Sequence, residues 1–287
     1  MERYRSGYNG TASKAVGPLK GHVGSNPTLS ATTIFYRHDP SALDLVATHM
    51  AKIDNNKIIV QINFFGPPLK KEEISKILTS ETESDFYKTI THLLSLFFGL
   101  PANALTQEIL ERYAETSIPE LNIPITPYTK KLSERLLRPL HSGKKNYCLG
   151  DYAATIALCG TAAEMLSILI WKINEVRVAG SQINANGEKN LFGREFEKLD
   201  QYRRLEILEA LGFITTNQLS DFNKLRSLRK PYLHLWDADL SNEKQDSFDA
   251  FKTIFQLFKD ITGVGLADAG TVKVNPKMLK FLQDAEY

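Results

Sequence analysis

A mostly helical protein is what the sequence predicts, with a small N-terminal α+β or helical domain ahead of a C-terminal helical bundle. Three observations carry that prediction. Apolar residues recur at helical spacing from Ser84 to Phe98 and from Lys244 to Thr262, the pattern of helices with one buried stripe. A nearly unbroken apolar run extends from Tyr147 to Asn174, too long for a strand and suited to a core helix. One stretch alone, Lys57 to Phe65, is convincingly strand-like, being β-branched and aromatic and stopped by Gly66-Pro67-Pro68.

The 287 residues are 43% hydrophobic and 24% charged, with a net charge of +2. That balance is ordinary for a soluble globular protein, so only a local basic cluster can argue for a nucleic-acid partner. Cys148 and Cys159 stand in no metal-ligand spacing and fit a reduced cytoplasmic protein in which both are small apolar fillers. The run Ile156 to Ile173 is interrupted by Thr161, Glu164 and Lys172, which favours a core helix over a membrane span.

In chain order, residues 1–49 are expected to be a spurious or disordered leader. Met1 to Ala31 has no apolar periodicity and is rich in Gly, Ser, Thr and Asn. Val23-Gly24-Ser25-Asn26-Pro27-Thr28 can be encoded as the T-arm of a tRNA, and Glu2-Arg3 can pair with the codons of Thr28-Leu29-Ser30 as an acceptor stem. With Gly17 to Gly21 encodable as a long variable arm, the segment resembles a serine tRNA gene translated in frame, a neighbourhood in which integrating mobile elements often sit. Met50 looks like a genuine start.

Residues 50–117 form the expected N-terminal domain. Its strand, Lys57 to Phe65, needs a partner, and Thr32 to Arg37, Thr271 to Val274 and a second subunit are all open to it. Helices are expected over Lys70 to Leu78, Ser84 to Phe98 and Ala104 to Ala114. Pro119, Pro124 and Pro127 mark residues 118–128 as a linker. The bundle then spans 129–263: a basic helix from Thr129 to Leu140, the apolar helix Tyr147 to Asn174, a loop from Val178 to Asn190, and one or two short helices over Arg194 to Leu211. Asn217 to Leu235 and Lys244 to Thr262 complete it. Residues 264–287 are expected to be a loosely held tail.

The chemistry is concentrated in Leu225 to Trp236, which carries Arg229, four residues, then His234. A guanidinium is a planar fork of donors matched to phosphate oxygens, and an imidazole can take and give protons near neutrality. On an ideal helix five residues advance about 140° beyond a full turn, so the two would not share a face. Pro231, which removes one backbone bond and kinks a helix, is the feature that would bring them together. Glu164, a carboxylate in an apolar run, needs a cation or donor. Arg226 or Arg229 is its expected partner, and Glu164 would then orient the site. Lys224, Arg226, Arg229 and Lys230, with Arg203 and Arg204 one helix earlier, form a basic cluster able to track a nucleic-acid backbone.

The second half, Thr129 to Gly263, resembles the HEPN superfamily of helical bundles. The resemblance rests on the helix beginning Gly150-Asp151-Tyr152-Ala153-Ala154 and continuing through Thr161-Ala162-Ala163-Glu164-Met165-Leu166, on the Arg229 to His234 spacing, and on the closing amphipathic helix. It implies a HEPN-like fold and metal-independent RNA cleavage in a cleft formed by two subunits, with no cofactor. His234 would be the general base or acid, Arg229 would stabilise charge on the phosphate, and Arg226, Lys230, Lys224, Arg203 and Arg204 would contact RNA. Many members are toxins or abortive-infection effectors active against phage, so a homodimer, RNA and an antitoxin or activating partner are the implied partners. Lys230 stands where the family usually has Asn, Asp or His, and Pro231 follows it. The competing reading is a catalytically inactive interaction module in which Arg229 is a structural ion-pair partner and His234 a helix-end histidine.

Overall fold

The computed structural model describes residues 48–54, 57–63, 66–79, 85–118, 121, 132–178, 180–234, 239–266 and 272–284. Over these the chain is mostly helical, and all of them fall within one compact unit. All of the expected leader but Thr48 and His49, including Thr32 to Arg37, and most of the Pro-rich stretch lie outside the described residues.

The strand has a partner that was not anticipated. β1 (Thr48–Asp54) pairs antiparallel with β2 (Lys57–Asn63), from Thr48 opposite Asn63 to Asp54 opposite Lys57. Met50 lies within β1, opposite Gln61. Only Asn55 and Asn56 separate the strands, a residue type that tolerates the backbone of tight turns. Val272–Lys273, the other candidate, pairs instead with Gly265–Leu266.

A first apolar cluster gathers α1 (Ile74–Leu78), α2 (Asp85–Phe98) and α3 (Gln107–Glu115). Its centre is Leu94, Leu110 and Tyr113, all fully buried, and the Tyr113 hydroxyl donates to the carbonyl of Pro67 at 2.7 Å. The cluster does not end at the Pro-rich stretch, because Tyr147 and Cys148 of α4 (Arg138–Leu149) belong to it. Arg112 Nε donates to the Cys148 carbonyl at 2.7 Å, and the Tyr147 hydroxyl to Glu115 Oε2 at 2.8 Å.

The helix expected to end at Leu140 continues to Leu149. A wide π turn, Ser133–Leu137, precedes it, just before Pro139, whose ring excludes the usual carbonyl four residues back. The apolar run from Tyr147 is therefore not one helix. Gly150 adopts φ 87°, its N–H bonds the Tyr147 carbonyl at 3.1 Å, and Asp151 N–H bonds that of Asn146 at 2.9 Å. Glycine takes this left-handed conformation without steric cost. Asp151 then caps the next helix by accepting from Ala154 N–H at 3.1 Å.

That next helix, α5 (Tyr152–Ile173), is the axis of the bundle. It packs against α4, α7 (Gln201–Ala210), α8 (Thr216–His234), α9 (Glu243–Thr262) and α10 (Pro276–Asp284). By length and composition α5 could cross a membrane, but 56% of its apolar window is buried in the bundle, as a core helix requires. From α9 it meets Phe251, Ile254, Phe255 and Phe258, all at most 1% exposed.

Two expectations are corrected here. Within the expected loop from Val178 to Asn190, Ala185 begins α6 (Ala185–Phe192). Asn184 caps it through Gly187 N–H at 3.0 Å, and Glu188 accepts from Trp171 Nε1 and from Phe196 N–H, each at 2.8 Å. Few apolar residues were needed because the cap and this carboxylate fasten the helix beside the packing of Phe192 on Trp171. Nor is the tail loose: α10 inserts Met278 into the core with no exposure. Lys277 Nζ donates to Asn174 Oδ1 at 2.7 Å, and Lys280 pairs with Glu175 at 2.7 Å.

Candidate functional site

α8 starts with a reciprocal cap. Thr215 Oγ1 accepts from Gln218 N–H at 3.2 Å while Gln218 Oε1 accepts from Thr215 N–H at 2.9 Å. Phe222 and Leu225 face the core, at 0% and 1% exposure, so the helix has a fixed rotation. Arg226 and Arg229, one turn apart on its flank, turn toward α5 and α7 and line the same cleft. Near its end, the Tyr232 hydroxyl donates to Asp246 Oδ2 of α9 at 2.6 Å. Burial and this carboxylate push the Tyr232 hydroxyl well above its usual range. Pro231 lies inside the helix, which runs on to His234. The side chain of His234 lies outside the described residues.

Glu164 meets Arg229. Arg229 Nη1 lies 2.6 Å from Glu164 Oε1, with the two side chains 24% and 28% exposed. The guanidinium arrives there across Gly160, one turn before Glu164 on the same face of α5. A methyl group at Gly160 would sit 2.6 Å from Arg229 Cδ and 3.3 Å from Nη1, closer than carbon atoms pack. The missing side chain is thus the channel through which Arg229 crosses α5. Gly160→Ala should leave the fold intact, since alanine favours a helix by about 1 kcal/mol. It should nevertheless displace the guanidinium and lower any activity that depends on Arg229; unchanged activity in a folded Gly160→Ala protein would disprove the channel.

Between α5, α7 and α8 opens a cleft of about 490 Å³ whose walls include Glu164, Gln201, Tyr202, Arg204, Arg226 and Arg229. Arg226 lies over the Tyr202 ring with its guanidinium carbon 4.8 Å from the centroid, an attraction between cation and ring face. Arg204 is only 4% exposed, and its Nη1 approaches the Glu164 carbonyl at 3.5 Å. Burial lowers its affinity for the proton, while Glu164, Asp200 and Glu197 oppose that shift; a guanidinium remains charged regardless.

Four of the predicted residues, Glu164, Arg204, Arg226 and Arg229, therefore share one cleft. Arg203, Lys224 and Lys230 do not line it: each is exposed. Arg203 and Arg204, adjacent in sequence, point apart, because Arg203 follows the exposed side of α7 while Arg204 packs inward. Sequence reasoning missed Gly160, Gln201 and Tyr202. A glycine four residues before a carboxylate inside an apolar helix was the available signal for the first.

Comparison with known proteins gives no name to this arrangement: no protein-family model matches the chain, and neither does a curated protein or a solved structure.

Proposed function

We propose that the chain is a metal-independent RNA endonuclease of the HEPN-like kind, acting from this cleft as a toxin or phage-defence effector does. The observation that carries the reading is the Arg229 guanidinium held by Glu164 over Gly160, beside Arg204 and Arg226. A guanidinium fixed by a carboxylate is preorganised: it need not reorient as charge develops on a phosphate. Among the described residues its one hydrogen bond is to Glu164, so most of its five N–H donors remain for a ligand.

In the proposed reaction His234 takes the proton of a ribose 2′-hydroxyl. The 2′-oxygen attacks the adjacent phosphorus, Arg229 stabilises the added negative charge, and the P–O5′ bond breaks with the 5′-oxygen taking a proton from water. The products are a 2′,3′-cyclic phosphate and a 5′-hydroxyl. A homodimer would supply two such helix ends, and an antitoxin or activating partner would restrain or trigger them. The same ion pair is also what an inactive interaction module would carry, since a paired arginine can be purely structural.

The test is induced expression of the full chain in a bacterial host, wild type beside Arg229→Ala and His234→Ala, followed by incubation of each purified protein with total RNA in EDTA. Wild type alone should arrest growth and fragment RNA to cyclic-phosphate ends. Equal fragmentation by all three would remove Arg229 and His234 from the mechanism. Silence of all three, each shown folded, would favour the interaction module.

A further inference from the structure

The charges lining the cleft do not cancel. Each carboxylate is already engaged: Glu164 with Arg229 at 2.6 Å, Glu197 with Lys172 at 2.5 Å, and Asp200 with Arg203 N–H, the cap of α7, at 3.0 Å. The guanidiniums of Arg204 and Arg226, in contrast, form no ion pair among the described residues. Arg226 has the Tyr202 ring, and Arg204 has a carbonyl at 3.5 Å.

Beside them are two buried donors with no partner among the described residues, Arg204 Nε and Gln201 Nε2. They stand one turn apart on α7, in side chains 4% and 8% exposed, and both residues line the cleft. A buried donor left unpaired has lost its hydration without replacement, and native proteins retain few of them. These two donors, with the Arg226 guanidinium lining the same cleft, lack the same thing: an acceptor with several oxygens. An oxyanion offers one, and guanidinium forks match its geometry.

We propose that Arg204, Gln201 and Arg226 form a second phosphate subsite, distinct from the Arg229 position, which holds a neighbouring phosphate of a single-stranded RNA. Tyr202, 48% exposed, supplies a ring at its rim on which an unpaired base stacks. The inference rests on the reading of this cleft as an RNA-cleaving site and assigns how the substrate is gripped there. The shared chemistry is a phosphate group, and free inorganic phosphate is the other source of it.

The experiment measures binding apart from cleavage. A fluorescently labelled single-stranded 2′-O-methyl RNA, which lacks the attacking hydroxyl, is titrated with the full chain at low salt in EDTA, then displaced with inorganic phosphate. Wild type should bind. Gln201→Leu should bind about tenfold weaker, Arg204→Met weaker still, and Lys252→Ala, an exposed cation of α9 outside the cleft, within about twofold of wild type, given ~1.4 kcal/mol per tenfold. Because Gln201→Leu removes an unpaired buried donor, it should melt at or above the wild-type temperature without ligand, which separates lost binding from lost folding.

Equal binding by wild type and Gln201→Leu overturns the subsite, even if wild type cleaves RNA and the nuclease reading stands. Gln201-dependent binding without any cleavage of natural RNA keeps the subsite and removes the nuclease. Gln201-dependent binding of inorganic phosphate alone, with none of the oligonucleotide, overturns the RNA assignment. Binding of neither probe overturns subsite and nuclease together.

Discussion

Arg229→Ala should slow RNA cleavage by about 10²–10³-fold, the usual consequence of removing one donor from developing transition-state charge. Its effect on folding should be far smaller. The Arg229 and Glu164 side chains are 24% and 28% exposed, so water screens the pair and its contribution to stability is about 1 kcal/mol. Arg229→Lys keeps the charge but not the planar fork and should recover only part of the rate. Glu164→Gln should cost about tenfold, because an amide oxygen still accepts from Nη1 while the charge that anchors it is gone. Steady-state rates and urea unfolding of the four proteins check this. Rate losses that merely parallel stability losses would make the pair structural.

Acidification should destabilise the fold through a group remote from this cleft. His141, 9% exposed on α4, has its proton affinity lowered from 6.5 to about 4, first by burial and then by the cations of Lys144 and Lys145. The unfolded chain takes the proton near 6.5 and the folded chain only near 4. Stability present above the upper value is therefore lost as pH falls through that window, at ~1.4 kcal/mol per pH unit and ~3 kcal/mol in all.

Lys144, 1% exposed, acts in the same sense at higher pH. Burial lowers it from 10.5 to about 8, so the unfolded chain binds the proton more tightly and Lys144's own contribution to stability rises with pH from 8 to 10.5. The rings of Tyr113 and Phe97, 4.2 and 5.7 Å from Nζ, offset part of the cost of its charge at neutrality. Cys148, whose thiol burial pushes from 9 up to about 12, opposes Lys144: the folded thiol keeps its proton while the unfolded one ionises, so its contribution is lost as pH rises above 9. Urea unfolding across both windows is the measurement. His141→Leu should flatten the acid limb, whereas Lys144→Met should raise neutral stability by about 2 kcal/mol and make stability fall more steeply above about pH 8. An acid limb unchanged in His141→Leu would assign it to other groups.

Much of the fold was legible because helical periodicity was strong where burial is one-sided. α2, α8 and α9 begin within about two residues of the expected positions, the usual scatter of helix boundaries. What escaped was structure with short apolar patterns fixed by local polar contacts. α6 was missed because much of its hold comes from Glu188 and Asn184, and α10 because its core contacts, Met278 and Phe281, span barely one turn. The Gly150-Asp151 break was hidden by apolar residues on both sides of it. For the cleft, charge alone narrowed the partner of Glu164 to Arg226 or Arg229, as a carboxylate in an apolar run requires a cation, and the structure places Arg229 there. Arg204 could not be separated from Arg203, since only the rotation of α7 decides which of two adjacent arginines is inside. Gln201 carries no sequence signal at all, because its significance lies in having no partner.

Glu164 sits on α5, which nearly every helix of the bundle touches. Its carboxylate can drift only as far as the core allows, and Gly160, one turn away, ties the path of Arg229 to the same rod. Local opening of loops or chain ends cannot release that guanidinium. The anchor should therefore persist, undimmed by surface motion, until the whole bundle melts, so that heat inactivation and global unfolding become a single event.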